Sequence, residues 1–179
     1  MKPDWPLETE RLVLRPYEDD DLENLHAVYS SPDVARWLYY EPSTLEQSRE
    51  KLARKIAGRA LSEEHGLSAA VRLRDGTYVG DAVLFYGSVE HKTVELGFSF
   101  DPRHQGKGYA TEATRALVDW AFSHGLHRVI GRLEPRNTAS ARVLEKLGMR
   151  LEAHLVENEW IKGEWQSELV YAMLDREWH

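Results

Sequence analysis

Residues 98–112, Phe98-Ser99-Phe100-Asp101-Pro102-Arg103-His104-Gln105-Gly106-Lys107-Gly108-Tyr109-Ala110-Thr111-Glu112, constrain what this chain can fold into more than any other stretch. An alternating strand pattern runs into Asp101-Pro102, two glycines flank a lysine, and a helical pattern starts at once and continues to His124. Glycine lets the backbone take positive φ and lets a ligand approach the main chain. The first turn of a helix offers unpaired N–H groups and the positive end of its dipole. A strand, a glycine turn and a helix start in this order therefore make an anion site, most naturally for phosphate. Two look-alikes fail. A P-loop needs Ser or Thr after its lysine, and Lys107 is followed by Gly108; the dinucleotide fingerprint needs a third glycine where Thr111 stands. What remains is Arg103-x-x-Gly106-x-Gly108, which also has a plainer reading as a tight turn.

The chain's 179 residues suit one domain, residues 1–179, with room for a substantial core. No apolar run approaches the ~18 residues of a membrane span, and Met1-Lys2-Pro3-Asp4-Trp5-Pro6 is not a signal peptide, so a cytoplasmic protein with no membrane partner is expected. The absence of cysteine excludes disulfides, thiolate metal sites and a Cys nucleophile. His124 and His127 straddle a glycine helix end without completing a zinc pattern, and no metal is expected. A formal charge of −7 argues against nucleic acid as a partner and leans toward cationic substrates such as amines.

Along the chain, Arg11–Arg15 reads as a strand ended by Pro16. Asp19-Asp20-Asp21 opens a helix with Leu22, Leu25, Val28 and Tyr29 on one stripe, and Pro32 interrupts it. Ser43-Thr44-Leu45-Glu46 reads as a capping box that opens a second helix, expected to reach about Leu61. Between them lies the aromatic-rich Arg36-Trp37-Leu38-Tyr39-Tyr40-Glu41. From Gly66 the period becomes two: a hairpin turning at Asp75-Gly76, then a third strand from Val94 to Phe100. That strand carries Val94, Leu96, Phe98 and Phe100 on one face. Glu95, Gly97 and Ser99 lie on the other, which is nearly bare apart from one carboxylate. The helix after the glycine turn points Ala113, Leu117, Trp120 and Ala121 inward, and Arg128–Leu133 follows as a strand, giving one parallel crossover. Asn137 or Thr138 caps a short helix ending at Gly148. A hairpin about Lys162-Gly163 closes the chain, its last strand apolar on both faces.

Arg103-x-x-Gly106-x-Gly108 with Tyr109-Ala110-Thr111-Glu112-Ala113 resembles the pyrophosphate-binding motif of the GNAT superfamily of N-acetyltransferases. Asn137-Thr138-Ala139-Ser140-Ala141-Arg142-Val143-Leu144-Glu145-Lys146-Leu147-Gly148-Met149 is similar to the Asn-x-x-Ser-x-x-x-Leu-Glu-Lys-x-Gly-Phe segment of its RimJ/RimL-like branch, with Met149 for Phe. Glu8–Arg15 resembles that branch as well. The resemblance covers almost the whole chain. It implies an α/β fold with a mixed, mostly antiparallel sheet of about seven strands, one parallel crossover and about four helices. It also implies acetyl-CoA, with its pyrophosphate on the backbone N–H groups from Gln105 to Ala110 and charge added by Arg103 and Lys107. Its pantetheine arm would lie along Phe98, Ser99 and Phe100, with a hydrogen bond at Asn137.

Moving an acetyl group from a thioester to an amine requires an unprotonated amine, stabilisation of an oxyanion and a proton for the departing thiolate. Without a Cys nucleophile, direct attack in a ternary complex is expected. Glu95, on the bare face, is the candidate general base through water; a solvated or ion-paired strand glutamate is the plainer alternative. Ser140 is the candidate proton donor, by likeness to the related branch, unless its hydroxyl bonds back to the Arg136 carbonyl. Trp37, Tyr39, Tyr40, Trp160 and Trp165 would frame the acceptor if the first connection and the last hairpin meet over the thioester. Glu41, Glu159 and Glu164 would attract a cationic acceptor. The family analogy points to a protein N-terminal α-amine. A small-molecule amine (antibiotic, polyamine or amino acid) and a non-catalytic acyl-CoA-binding module are the alternatives, and an exposed strand edge is a candidate homodimer surface.

Overall fold

The alternation that begins at Gly66 builds a three-strand meander, β3 (Leu67–Leu73), β4 (Tyr78–Ser88) and β5 (Thr93–Phe100), in a computed structural model that describes residues 1–179. With β1 (Leu7–Glu8), β2 (Leu12–Arg15), β6 (Arg128–Leu133), β7 (Arg150–Ile161) and β8 (Glu164–Leu174) these strands form one eight-stranded sheet. Its order is β1-β2-β3-β4-β5-β6-β8-β7. Every pairing is antiparallel except that of β5 with β6, the expected crossover. The expected seven strands become eight because Leu7–Glu8 pairs with the outer edge of β2, a two-residue strand too short to show a period.

Five α-helices flank the sheet: α1 (Leu22–Tyr29), α2 (Pro32–Ala35), α3 (Leu45–Ala57), α4 (Tyr109–Ser123) and α5 (Thr138–Lys146). Pro32 ends the first stripe and also starts a helix of its own, since a helix's first position needs no N–H; that supplies the fifth. The capping box of α3 lies one residue later than Ser43–Glu46: Thr44 accepts from the Gln47 amide, while Gln47 reaches back to the Thr44 amide. The helix stops at Ala57, short of Leu61, because Gly58 takes its C-terminal position.

Alternation sends the two sides of the meander to different helices. Ala69, Ala82, Leu84 and Leu96 pack with Ala113, Leu117 and Val118 of α4. Ala70 and Tyr78 on the other side pack with Leu25, Val28 and Leu52 of α1 and α3. Two buried acids fasten the N-terminal half. Asp21 takes Arg15 at 2.8 Å and Arg72 at 2.5 Å. Asp81 takes Lys55 at 2.8 Å and the hydroxyls of Tyr17 and Tyr29. β8 lies between β6 and β7 as its apolar character suggested, although only Glu168 and Tyr171–Met173 are fully buried along it. No helix is long and apolar enough to cross a membrane.

Candidate active site

The β5–β6 pairing is three residues long. Thr93, Val94 and Glu95 pair with Arg128, Val129 and Ile130; beyond that β5 stays with β4 as far as Phe100 and β6 stays with β8 as far as Leu133. The sheet therefore opens as a wedge between Leu96–Phe100 and Gly131–Leu133. A cavity of about 1010 Å³ occupies this wedge and the face beside it, lined among others by Leu96, Gly97, Phe98, Ser99, Phe100, Leu133, Asn137 and Ser140. Strand edges that part leave backbone donors and acceptors for an extended ligand to pair with. Gly97 keeps the strip bare: a Cβ there would stand 3.0 Å from Val83 Cγ2.

At the wide end the glycine turn behaves as its sequence implies. Gly106 and Gly108 hold φ of 76° and 83°, and Gly108 is the residue from which α4 starts. The amides of residues 106–111 donate to no backbone acceptor, so a cluster of N–H groups is left for an anion. Gln105 Nε2 donates to the Phe100 carbonyl (3.1 Å), closing the loop onto the end of β5. Gln105, Gly106, Gly108, Tyr109 and Ala110 all line the cavity. Arg103 and Lys107 do not. Asp101 holds the Arg103 guanidinium at 2.6 Å, and the Lys107 side chain stands outside the lining. A further cation, Arg11, which sequence reasoning missed, braces this loop from outside the lining. It donates to the Lys107 carbonyl (3.0 Å), lies over the Tyr109 ring at 4.9 Å and pairs with Glu112 at 2.6 Å.

At the narrow end Glu95 faces the cavity. Arg132 Nε stands 3.4 Å from its carboxylate, and the same guanidinium binds buried Glu168 at 2.8 Å. Burial raises the Glu95 pKa above the usual carboxylate range; Arg132 opposes the rise and Glu168 adds to it. Glu95 is thus ion-paired, as its plainer reading held, and perturbed in the direction a general base needs. Asn137 caps α5, its side-chain oxygen accepting from the Ser140 amide (3.2 Å). Ser140 lines the cavity, and its hydroxyl has formed no back-bond to Arg136. Leu144 of α5 lies against Gly131, where a Cβ would meet its Cδ1 at 2.6 Å, so α5 sits close to the wedge.

The aromatic candidates separate into two groups. Trp37, Tyr39 and Tyr40 line the cavity; burial and then Glu168, Glu159 and Glu95 raise the Tyr39 pKa, with Arg132 opposing. Trp160 and Trp165 lie outside the lining: paired edge to face at 5.3 Å, they are 60% and 58% exposed on the hairpin's outer side. The hairpin and the first connection nevertheless meet, because Lys162 Nζ donates to the Ala35 carbonyl at the end of α2 (2.5 Å). Glu159 lines the cavity, whereas Glu164 is held outside it by Arg136 (2.6 Å). Sequence reasoning also missed Arg132, Glu168, Asp81 and Lys51. Two had a signal: Asp81 is the one acid in the apolar run Tyr78–Leu84, and Glu168 is the one acid in Ser167–Leu174.

The profile of the acetyltransferase (GNAT) domain matches residues 11–150. The chain belongs to the GNAT family. A GNAT-family acetyltransferase from Bacillus anthracis shares its structure with a TM-score of 0.87 at 33% identity, over 96% of this chain and 99% of that one. The fold is also that of Vibrio cholerae spermidine N-acetyltransferase in complex with CoA and spermine (TM-score 0.81, 23% identity, 94% and 98% covered). It is likewise that of RimL, a ribosomal L7/L12 alpha-N-protein acetyltransferase in complex with coenzyme A (TM-score 0.83, 18% identity, 94% and 97% covered). In this GNAT domain acetyl-CoA is the cosubstrate, and the unpartnered amides of residues 106–111 suit its pyrophosphate.

Proposed function

We propose that the protein transfers the acetyl group of acetyl-CoA to the α-amine of a protein N-terminus by direct attack in a ternary complex. The observation that carries this reading is the perturbed carboxylate of Glu95, set where the wedge between β5 and β6 begins. The amides of residues 106–111 hold the pyrophosphate of acetyl-CoA, the wedge takes its pantetheine arm and Asn137 sits within reach of that arm. Glu95 accepts the amine's proton through water; a backbone N–H near Phe98 polarises the thioester carbonyl. As the C–N bond forms and the C–S bond breaks, Ser140 gives its proton to the departing sulfur and regains one from solvent, to which Glu95 returns the amine's proton.

RimL supports a protein terminus as acceptor, and the spermidine enzyme supports a small amine. The Lys162–Ala35 contact ties the hairpin to the first connection, an arrangement compatible with either acceptor. The exposed apolar side chains of the outer strand β7, Leu151, Val156 and Trp160, support a homodimer through that strand. The test is thiol release from acetyl-CoA across N-terminal peptides, polyamines, amino acids and aminoglycosides, repeated with Ser140→Ala. Peptide-stimulated release establishes the proposed acceptor, and stimulation by small amines alone replaces it. Undiminished turnover in Ser140→Ala removes that residue from the mechanism.

A further inference from the structure

Across the cavity from Glu95, the wall is helix α3, and its charge has the opposite sign. Lys51, Arg54 and Lys55 all line the cavity there. Lys55 is already committed: its ammonium meets Asp81 at 2.8 Å, and the same carboxylate accepts the hydroxyls of Tyr17 (2.8 Å) and Tyr29 (2.9 Å). The one buried anion of this wall is therefore satisfied without help from Lys51. Lys51 Nζ lies over the rings of Tyr29 (4.5 Å) and Tyr40 (3.8 Å), which cover its flanks but leave its donors unanswered. Burial, then the like charges of Lys55 and Arg54, push its pKa down to about 8 against the weaker pull of Asp81, which forms no ion pair with it, so at neutral pH it is mostly protonated. The remaining acids on this part of the lining are Asp33, Glu63 and Glu64, and none forms an ion pair with Lys51 or Arg54.

A half-buried ammonium with no counter-ion, in a cavity that must receive a second substrate, implies that the substrate brings the counter-ion. The sheet beneath sets the scale. Asp81 pairs with Ser99, Val83 with Gly97 and Phe85 with Glu95 on one face, so the position under Lys51 is four residues along the strand from the position of Glu95. That is about 13 Å between Cα rows, shortened from both ends by long side chains. The gap fits a molecule whose amine and anion are a few bonds apart.

On the reading that Glu95 faces the attacking amine, we propose that the acceptor carries a carboxylate close to that amine and that the Lys51 ammonium receives it, with Arg54 at the rim. Two sources supply this chemistry: an acidic side chain at the first or second residue of a protein N-terminus, or the free carboxylate of an amino acid. A polyamine does not suit, since its second ammonium would face Lys51.

The experiment compares kcat/KM for peptide pairs that differ only as Glu against Gln or Asp against Asn at the first two positions. Free amino acids and their amides run alongside, each with the wild type, Lys51→Met and Lys51→Glu. The wild type should prefer the acid over its amide by at least about tenfold, the worth of one charge-assisted hydrogen bond. Lys51→Met should bring that ratio toward one, and Lys51→Glu should invert it in favour of lysine-bearing acceptors. Acetyl-CoA affinity, measured by calorimetry, verifies that each variant is folded and loaded. Peptide acids preferred over free amino acids identify the first source, and the reverse identifies the second; either upholds the carboxylate site. Equal use of acid and amide by the wild type, or a preference that survives in Lys51→Met, overturns it. Should no acceptor be turned over, the proposed function has failed separately. Calorimetric titration of the same acid and amide pairs into the enzyme–CoA complex then decides the carboxylate site: preferential binding that Lys51→Met abolishes upholds it, and equal binding overturns it.

Discussion

Glu95 is governed by two neighbours of opposite sign, and that makes its role measurable apart from its presence. Burial raises its pKa first; the Arg132 guanidinium pulls it down and Glu168 pushes it up. If the carboxylate takes the amine's proton, turnover is lost as pH falls through the Glu95 pKa. Glu95→Gln should lower kcat by about 10²–10⁴ and remove that acid limb. The neighbours should move the limb in opposite directions. Arg132→Met removes the lowering charge and shifts the limb to higher pH. Glu168→Gln removes the raising charge, leaves Arg132 free to pair with Glu95 and shifts the limb to lower pH. A kcat–pH profile of the three variants checks this, and displacement of both limbs in one direction would count against Glu95 as the titrating base. Of this trio only Glu95 was legible in the sequence, because a lone acid on a bare strand face stands out within one element. Arg132 and Glu168 lie on β6 and β8, and the register that brings them to Glu95 is set across the sheet.

At the scale of elements, local chemistry was legible wherever a cap or a period fixed it. The α5 cap at Asn137, the Arg128–Leu133 strand, the inward face of α4 and the Lys162-Gly163 turn all stand where their residues placed them. What was not legible is how elements distant in sequence hold one another. Glu112, on the outward side of α4 by period, has a side chain only 16% exposed and accepts from the Thr9 hydroxyl (2.6 Å), the Arg11 amide (2.9 Å) and the Arg11 guanidinium (2.7 Å). It thereby pins the chain before β2 to the first turn of α4, and Arg11 in turn holds the glycine loop. Burial opposes ionisation of Glu112, but these donors outweigh it and lower its pKa below the usual 4.5. A depressed pKa adds stability above the unfolded pKa that is lost as pH falls through the folded one. Glu112→Gln should therefore cost about 1 kcal/mol at pH 7, and the deficit should shrink in denaturant titrations at progressively lower pH. In the same loop, Gly108→Ala forces a side chain onto a φ of 83°. It should weaken acetyl-CoA binding about tenfold by calorimetry, the effect of roughly 1–2 kcal/mol of left-handed strain.

Over the whole molecule the single sheet is joined at its middle by only three residue pairs. β1 to β5 lie on one side, β6, β8 and β7 on the other, and the cavity lies between. Two polar contacts join the halves on the side that the proposed function gives to the acceptor. Arg132 reaches Glu95 across the β5–β6 seam, and Lys162 at the hairpin tip reaches the Ala35 carbonyl. That carbonyl closes α2, where the negative end of the helix dipole favours a cation. On the other side of the wedge lie the glycine loop and α4, to which the proposed function assigns the pyrophosphate, and no hydrogen bond joins them to the hairpin. Losing the hairpin's anchor should therefore loosen one substrate and spare the other. Lys162→Met should raise KM for the acceptor several-fold, the worth of one charged hydrogen bond at about 1 kcal/mol after solvent competition, while acetyl-CoA affinity stays within error. Hydrogen exchange should quicken in residues 33–40, which lose their hydrogen bond to the hairpin tip, and remain slow in α4. If Lys162→Met instead weakens acetyl-CoA binding with the acceptor KM unchanged, the hairpin supports the wedge itself, and the hold on the acceptor must be assigned to other residues.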